Sequence, residues 1–334
     1  MAMWGRGHGE GGGGRGPLTL WIGAGIIAVA ELLLFGVDLP ARGWATVPEV
    51  AAGDLPQPRG PWQQLGRSVA ENMTPLCWVG YLLLFDGLLA RAARRRSRAV
   101  STIRARPNRF VFAGFTGIPV WCYFDWVNFY FMDAWRYHGL PDSAVSRYGG
   151  YFIAFAAISP GMLLAAQWLN QLGLARLRTS GVRIGPAAQA GVALIGVAFV
   201  AYPFATRNPI GNLTLWVSLM FVLDPLNHWL GAPSIIGDWR AGRWGRTFSL
   251  MGGGAICGLC WEFWNYWATA KWTYHLPFVG ALEQYRYFEM PWIGFIGFLP
   301  FAIECWVVLN TLIELLRRLG VRPVESLPDE THVL

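Results

Sequence analysis

Charge is what this chain has least of. Only 14% of its 334 residues are Asp, Glu, Lys or Arg, against roughly a quarter in ordinary soluble domains. Lysine is nearly absent: Lys271 is the only one, and arginine supplies the remaining cations behind a net charge of +7. The five cysteines, Cys77, Cys122, Cys257, Cys260 and Cys305, all fall inside apolar runs. Cys257 and Cys260 form a C-x-x-C. Without a second pair it reads better as two small residues on a membrane helix than as a redox or metal motif. There is no P-loop, no G-x-S-x-G and no Cys/His cluster. No RNA- or DNA-binding motif is present either, so nucleic acid is excluded as a partner. The arginines lie between apolar runs, where they report membrane topology and anionic headgroups.

What fills the chain is apolar: 54% hydrophobic residues, 15% of all residues being aromatic. Several runs approach or exceed the ~18 residues needed to cross a bilayer. The fold class is therefore an all-α integral membrane protein. Eight spans are expected, at about 18–36, 74–91, 110–132, 149–171, 187–206, 212–231, 247–270 and 291–316. Residues 1–17 read as a disordered Gly-rich N-terminus and 319–334 as a cytoplasmic tail. The first apolar run lacks a clear signal-peptide cleavage site and is expected to stay as a helix. Arginine-rich loops follow spans two, four and six, and Arg317-Arg318 ends span eight. All lie on one side if both termini are cytoplasmic, in a multi-pass protein of the cell inner (plasma) membrane. The mixed-charge segment 37–73 then lies outside.

One stretch recurs. DWVNFYFMDAWRYH, 125–138, returns as EFWNYWATAKWTYH, 262–275. Asp125, Asn128, Trp135, Tyr137 and His138 match Glu262, Asn265, Trp272, Tyr274 and His275. Trp78 and Asp86 likewise match Trp216 and Asp224, Arg109 matches Arg246, and Phe155 and Pro160 match Phe295 and Pro300. Two parallel four-helix repeats are expected, 18–172 and 186–318, related by an axis along the membrane normal.

Acids inside a membrane cost about 2.5–3.5 kcal/mol on insertion scales and usually face the bundle interior. Their plain reading is structural: a carboxylate bonds a neighbouring helix or caps a broken turn. Asp86 and Asp224, near the cytoplasmic ends, suit that reading. Asp125 and Glu262 stand among rings that include Trp121, Trp126, Trp261 and Trp264. A carboxyl withdrawn from water keeps its proton more readily and can act as an acid, while aromatic faces stabilise nearby positive charge. Acid plus rings suits a reaction that passes through a carbocation in an apolar substrate. The rings also fit an ordinary interfacial belt. His138 and His275 read as interfacial hydrogen-bonding groups, and no metal is expected.

The second half resembles the membrane-integral lycopene cyclase domain family. The residues that carry the resemblance are Trp261-Glu262, Trp272-Thr273-Tyr274 with Pro277 and Gly280, and Phe288-Glu289-Met290-Pro291 opening WIGFIGFLPFAIEC, which ends at Cys305. A fainter match runs from Trp121 to Pro160, in keeping with the family's tandem domains. The family's acid pair stands here as Glu289 followed by methionine, and Glu304 sits one turn onward. The resemblance implies a bilayer-accessible pocket for a long apolar isoprenoid such as a carotenoid. It also implies proton-initiated ring closure by an isomerase without cofactor or metal. Glu262 would be the general acid, with Asp125 or Glu289 as base and Glu304 as a further catalytic candidate. Trp261, Trp264, Trp272 and Tyr274 would line the pocket, with Asn265, Asn128, Trp135 and Tyr137 as further substrate-binding positions. Two rivals stay open: a transporter or channel using Asp86, Asp224, Asn227 and His228, and a structural subunit of a membrane complex. The bilayer is the one certain partner; a homo-oligomer stays open.

Overall fold

The computed structural model describes residues 18–94, 102–325, 327 and 332–334. The Gly-rich N-terminus and the centre of the arginine-rich loop after span two lie outside them. Among the described residues, nine long helices carry the fold: α1 Leu18–Leu33, α2 Gly60–Glu71, α3 Met73–Arg94, α4 Pro107–Val127, α5 Ala144–Leu172, α6 Pro186–Thr206, α7 Gly211–Leu230, α8 Gly245–Trp267 and α9 Phe298–Arg318. Six helical segments are long and apolar enough to cross a membrane: Leu18–Ala41, Met73–Ala92, Pro107–Met132, Ala144–Leu172, Pro186–Thr206 and Trp292–Arg318. The protein is thus an α-helical membrane protein. The other two expected spans, α7 and α8, are helices of similar length that carry the polar side chains of Asp224, Asn227, Glu262 and Asn265 inward.

Burial separates the helices into rings. Only 22% of the α1 span and 17% of the α6 span is buried, against more than half of the α3, α5 and α9 spans. α1 packs on α3, and α6 packs on α7. α3 meets α5, and α7 meets α9; α4 leans on α5, and α8 on α9. α5 crosses α8 at the centre. Small residues permit the closest crossings, as membrane helices require. A Cβ at Gly254 would stand 2.0 Å from the Phe298 carbonyl oxygen, and one at Gly87 2.4 Å from the Leu20 nitrogen.

Segment 37–73 is folded onto this bundle. Asp38 is buried between Arg42, 3.1 Å away, and Arg67, 2.8 Å away, and the Arg42 guanidinium donates to the Trp267 carbonyl.

Within this helical fold the two W-x-Y stretches lie in short strands: β1 Trp135–His138 pairs antiparallel with β2 Lys271–Tyr274. Successive side chains in a strand alternate faces, so the W-x-Y spacing puts each Trp and its Tyr on the same side. Trp135 lies opposite Tyr274, and Tyr137 opposite Trp272. A second, two-residue pair joins Arg286–Tyr287 to Met290–Pro291.

Candidate active site

Two buried asparagines fix the ribbon to the helix ends. Asn128 stands in the π-helical turn Asn128–Met132 that closes α4. Its Nδ2 donates to the Trp135 carbonyl at 2.8 Å, and its Oδ1 accepts from the Ala134 and Trp135 amides at 2.7 and 3.0 Å. Asn265 does the same for β2, donating to the Trp272 carbonyl and accepting from the Trp272 amide, both at 2.8 Å. Unpaired strand amides buried at this depth would be costly. Asn128 and Asn265, expected to touch substrate, instead hold the strands that do the positioning.

Above each asparagine, one helical turn back, is a carboxylate. Asp125 Oδ1 accepts from Trp135 Nε1 and from the Tyr137 hydroxyl, both at 3.0 Å. Glu262 Oε1 accepts from the Tyr274 hydroxyl at 2.7 Å, while Oε2 is buried with no partner. Each tyrosine oxygen in turn accepts from an indole: Trp121 Nε1 at 3.3 Å for Tyr137, and Trp272 Nε1 at 2.7 Å for Tyr274. Burial raises the pKa of both tyrosines well above the ordinary value, so their hydroxyls stay protonated and donate to the acids. The result is two acid–tyrosine–indole chains, one from each recurring motif.

The ribbon brings these chains to one place. Trp121 and Trp261 meet at 5.1 Å between ring centroids, Trp261 and Trp272 at 5.4 Å, and Tyr137 and Trp272 at 6.3 Å. With Trp216, Tyr274 and Phe298 they enclose a cage of about 10 Å³, room for about one water. Cation-stabilising ring faces therefore surround two hydroxyls, each backed by a carboxyl. A cleft of about 70 Å³ leads outward from the cage between α3 and the start of α5, with Trp78, Trp121, Tyr137 and Trp272 in its wall.

The other expected residues fall elsewhere. Trp264 points away from the cage: its Nε1 donates to Glu31 at 3.2 Å, and its ring packs on Trp78 and Tyr81. Glu289 forms an ion pair with Lys271 at 2.5 Å. The ammonium also donates to the Tyr266 carbonyl and lies over the Tyr266 ring. Burial pushes the Lys271 ammonium down, with Glu289 opposing the shift. Glu304 is fully buried on α9, where its Oε1 accepts from the Leu219 amide of α7 at 3.0 Å. Neither Glu289 nor Glu304 lines the cage.

Asp86 and Asp224 follow their plain reading. Asp86 accepts from Ile103 N at the head of the short helix Thr102–Ala105, and Asp224 from Ile235 N and Ile236 N at the head of Ile235–Arg240. Asn227 bonds Val307 O and Thr311, and His228 bonds Arg240. The polar kink of α7 is thus tied to neighbouring backbone and side chains. Cys257 and Cys260 are free thiols. No group of three or more His, Cys, Asp or Glu among the described residues converges as a metal site would require.

Sequence reasoning passed over Glu31, a carboxyl inside the first apolar run and the partner of Trp264. It treated Trp78 and Trp216 only as marks of repetition, although both wall the clefts at the cage; their recurrence was the available signal. No family model, no curated protein and no solved structure matches the chain.

Proposed function

We propose that the protein is a multi-pass membrane enzyme performing acid–base, cyclase- or isomerase-like chemistry on a long apolar isoprenoid such as a carotenoid. In this reading eight spans form two parallel four-helix repeats, with both termini on the cytoplasmic face of the inner (plasma) membrane. The observation that carries the proposal is the convergence of two acid–tyrosine chains on one aromatic cage. The Tyr274 hydroxyl turns from Glu262 to a substrate double bond and passes on its proton as the protonated Glu262 carboxyl replaces it in the same step, so no free phenolate forms. The new C–H bond leaves a carbocation, which the indole faces stabilise. A neighbouring double bond attacks it, or the cation simply relaxes. A proton then leaves carbon for the second tyrosine–carboxylate chain. One proton is added and one removed, so the product is an isomer and no redox partner is needed; Glu262 ends ionised and Asp125 protonated, and proton exchange with water resets both before the next turnover. Tyr137 and Tyr274 are the groups that would touch substrate; Glu262 and Asp125 supply and accept protons through them.

The test is a lipid extract from a lycopene-producing host expressing the chain, analysed by liquid chromatography and mass spectrometry. A new peak of unchanged mass should appear, and be lost with Glu262→Gln and with Tyr274→Phe. Gln can still accept the Tyr274 hydrogen bond, so the fold should survive. An undiminished peak from Glu262→Gln refutes the assignment.

A further inference from the structure

The first cleft has a counterpart on the other side of the cage. A second cavity of about 280 Å³ lies between α7 and the start of α9, with Trp216 in its wall, and Trp216 also walls the cage. The two clefts are built from matching places in the chain. The first uses Trp78 at the head of α3 and the residues after β1; the second uses Trp216 in α7 and the residues after β2. The cage shares Trp121, Tyr137, Trp261 and Trp272 with the first cleft and Trp216 with the second, so it stands between them.

Their mouths differ in chemistry. The first is lined by polar groups, Glu71, Asn72, Ser146 and Arg147 among them. Arg147 is in this lining, donates through Nε to the Pro141 carbonyl at 2.8 Å and has no ion pair among the described residues, which leaves its terminal N–H groups as donors for an occupant's oxygen. The second is rimmed by Leu213, Val217, Leu276, Val279, Ile293 and Ile296, with no charged group.

Resting on the enzymatic reading above, we infer that the occupant is a single elongated amphiphile. Its oxygenated end lies at the Arg147 mouth, its hydrocarbon end lies in the second cleft, and its middle threads the acid–tyrosine cage. The polarity difference orients it, as burying a polar end in the second cleft would strand it without a partner. The bond presented to Tyr137 and Tyr274 is then internal to the chain. The cage now has room for about one water, so entry requires a ring to swing. Trp216 is the residue that lines both the cage and the second cleft, so turning its ring would join the two.

The experiment is competition binding with tritiated geranylgeraniol on the full chain in nanodiscs, against unlabelled geranylgeraniol and phytane, the hydrocarbon of similar chain length. The alcohol should bind about tenfold tighter than the hydrocarbon, the worth of one hydrogen bond to a charged group. Arg147→Ala should abolish that preference and Arg147→Lys restore part of it. Leu213→Trp, which fills the exposed second mouth, should weaken both ligands alike. Equal binding of alcohol and hydrocarbon overturns the inference, and so does indifference of both ligands to Leu213→Trp. Binding as expected without conversion in the lipid extract removes the enzymatic reading and keeps the oriented site. Conversion without this binding pattern does the reverse.

Discussion

Replacing Asn128 with alanine should destabilise the protein more than the same change at Asn265, and the structure sets the size of the difference. Asn128 is fully buried and makes three bonds to backbone, from Ala134 N and Trp135 N and to Trp135 O. Asn265, equally buried, makes two, both with Trp272. Each lost bond removes about 1 kcal/mol net, and a stranded buried backbone group adds about 1–3 kcal/mol where water cannot reach it. Allowing for partial relaxation, Asn128→Ala should cost about 3–5 kcal/mol and Asn265→Ala about 2–3 kcal/mol. The same loosening slackens the hold of Asp125 on Tyr137, because the bonds that tie the β1 backbone to the end of α4 are lost. Reversible unfolding in mixed micelles, titrated with SDS and followed by tryptophan fluorescence, measures both variants on one scale. A loss below about 1 kcal/mol for Asn128→Ala, or a larger loss for Asn265→Ala, would sink the claim that the asparagines hold the ribbon.

Other consequences are simpler to state. Gly254→Ala drives a Cβ to 2.0 Å from backbone on α9 and should cost about 2–4 kcal/mol, whereas Gly25→Ala meets nothing within 4 Å and should be neutral; the same SDS titration compares them. Lys271→Met leaves the half of a buried pair at Glu289 uncompensated and should cost about 2–4 kcal/mol, with the Lys271→Met, Glu289→Met double variant recovering part of the loss. His138 bonds Thr273 across the ribbon, and burial holds its pKa below the ordinary 6.5. The unfolded chain therefore binds that proton first as pH falls below 6.5, so this histidine lowers stability on acidification and contributes nothing further above that pH. A stability–pH profile of His138→Gln should be flatter than wild type on the acid side; parallel profiles would refute it.

The helices were readable because apolar run length is a local property. Six of the expected spans fall on helices long and apolar enough to cross a membrane, and 291–316 begins in the short helix Trp292–Phe295 before α9. The strands were not read, since W-x-Y-H is too short for a period and sits among aromatic residues that fit a membrane belt equally well. Among the acids, residue type and depth did not separate roles. Asp125, Asp224, Glu262 and Glu304 are all carboxyls in apolar surroundings. Which of them meets a tyrosine hydroxyl and which caps a backbone amide follows from the neighbouring element, as the contrast between Tyr274 on Glu262 and Leu219 on Glu304 shows. The pairing of Lys271 with Glu289 was equally hidden, although both residues were in view.

By itself, then, the sequence determined membrane residence, the rough position of the apolar helices though not of α2, and the recurrence of an acid, an asparagine and W-x-Y-H. Scarce charge and long apolar runs act on each segment independently, so no knowledge of partners is required. Only the tertiary structure decided that the two motifs face each other, that tyrosines stand between the acids and the cage, and that one cleft mouth is polar and the other apolar. Those outcomes depend on the register of a ribbon joining distant segments and on how closely glycine lets α8 approach α9. Neither is encoded in any single stretch of chain.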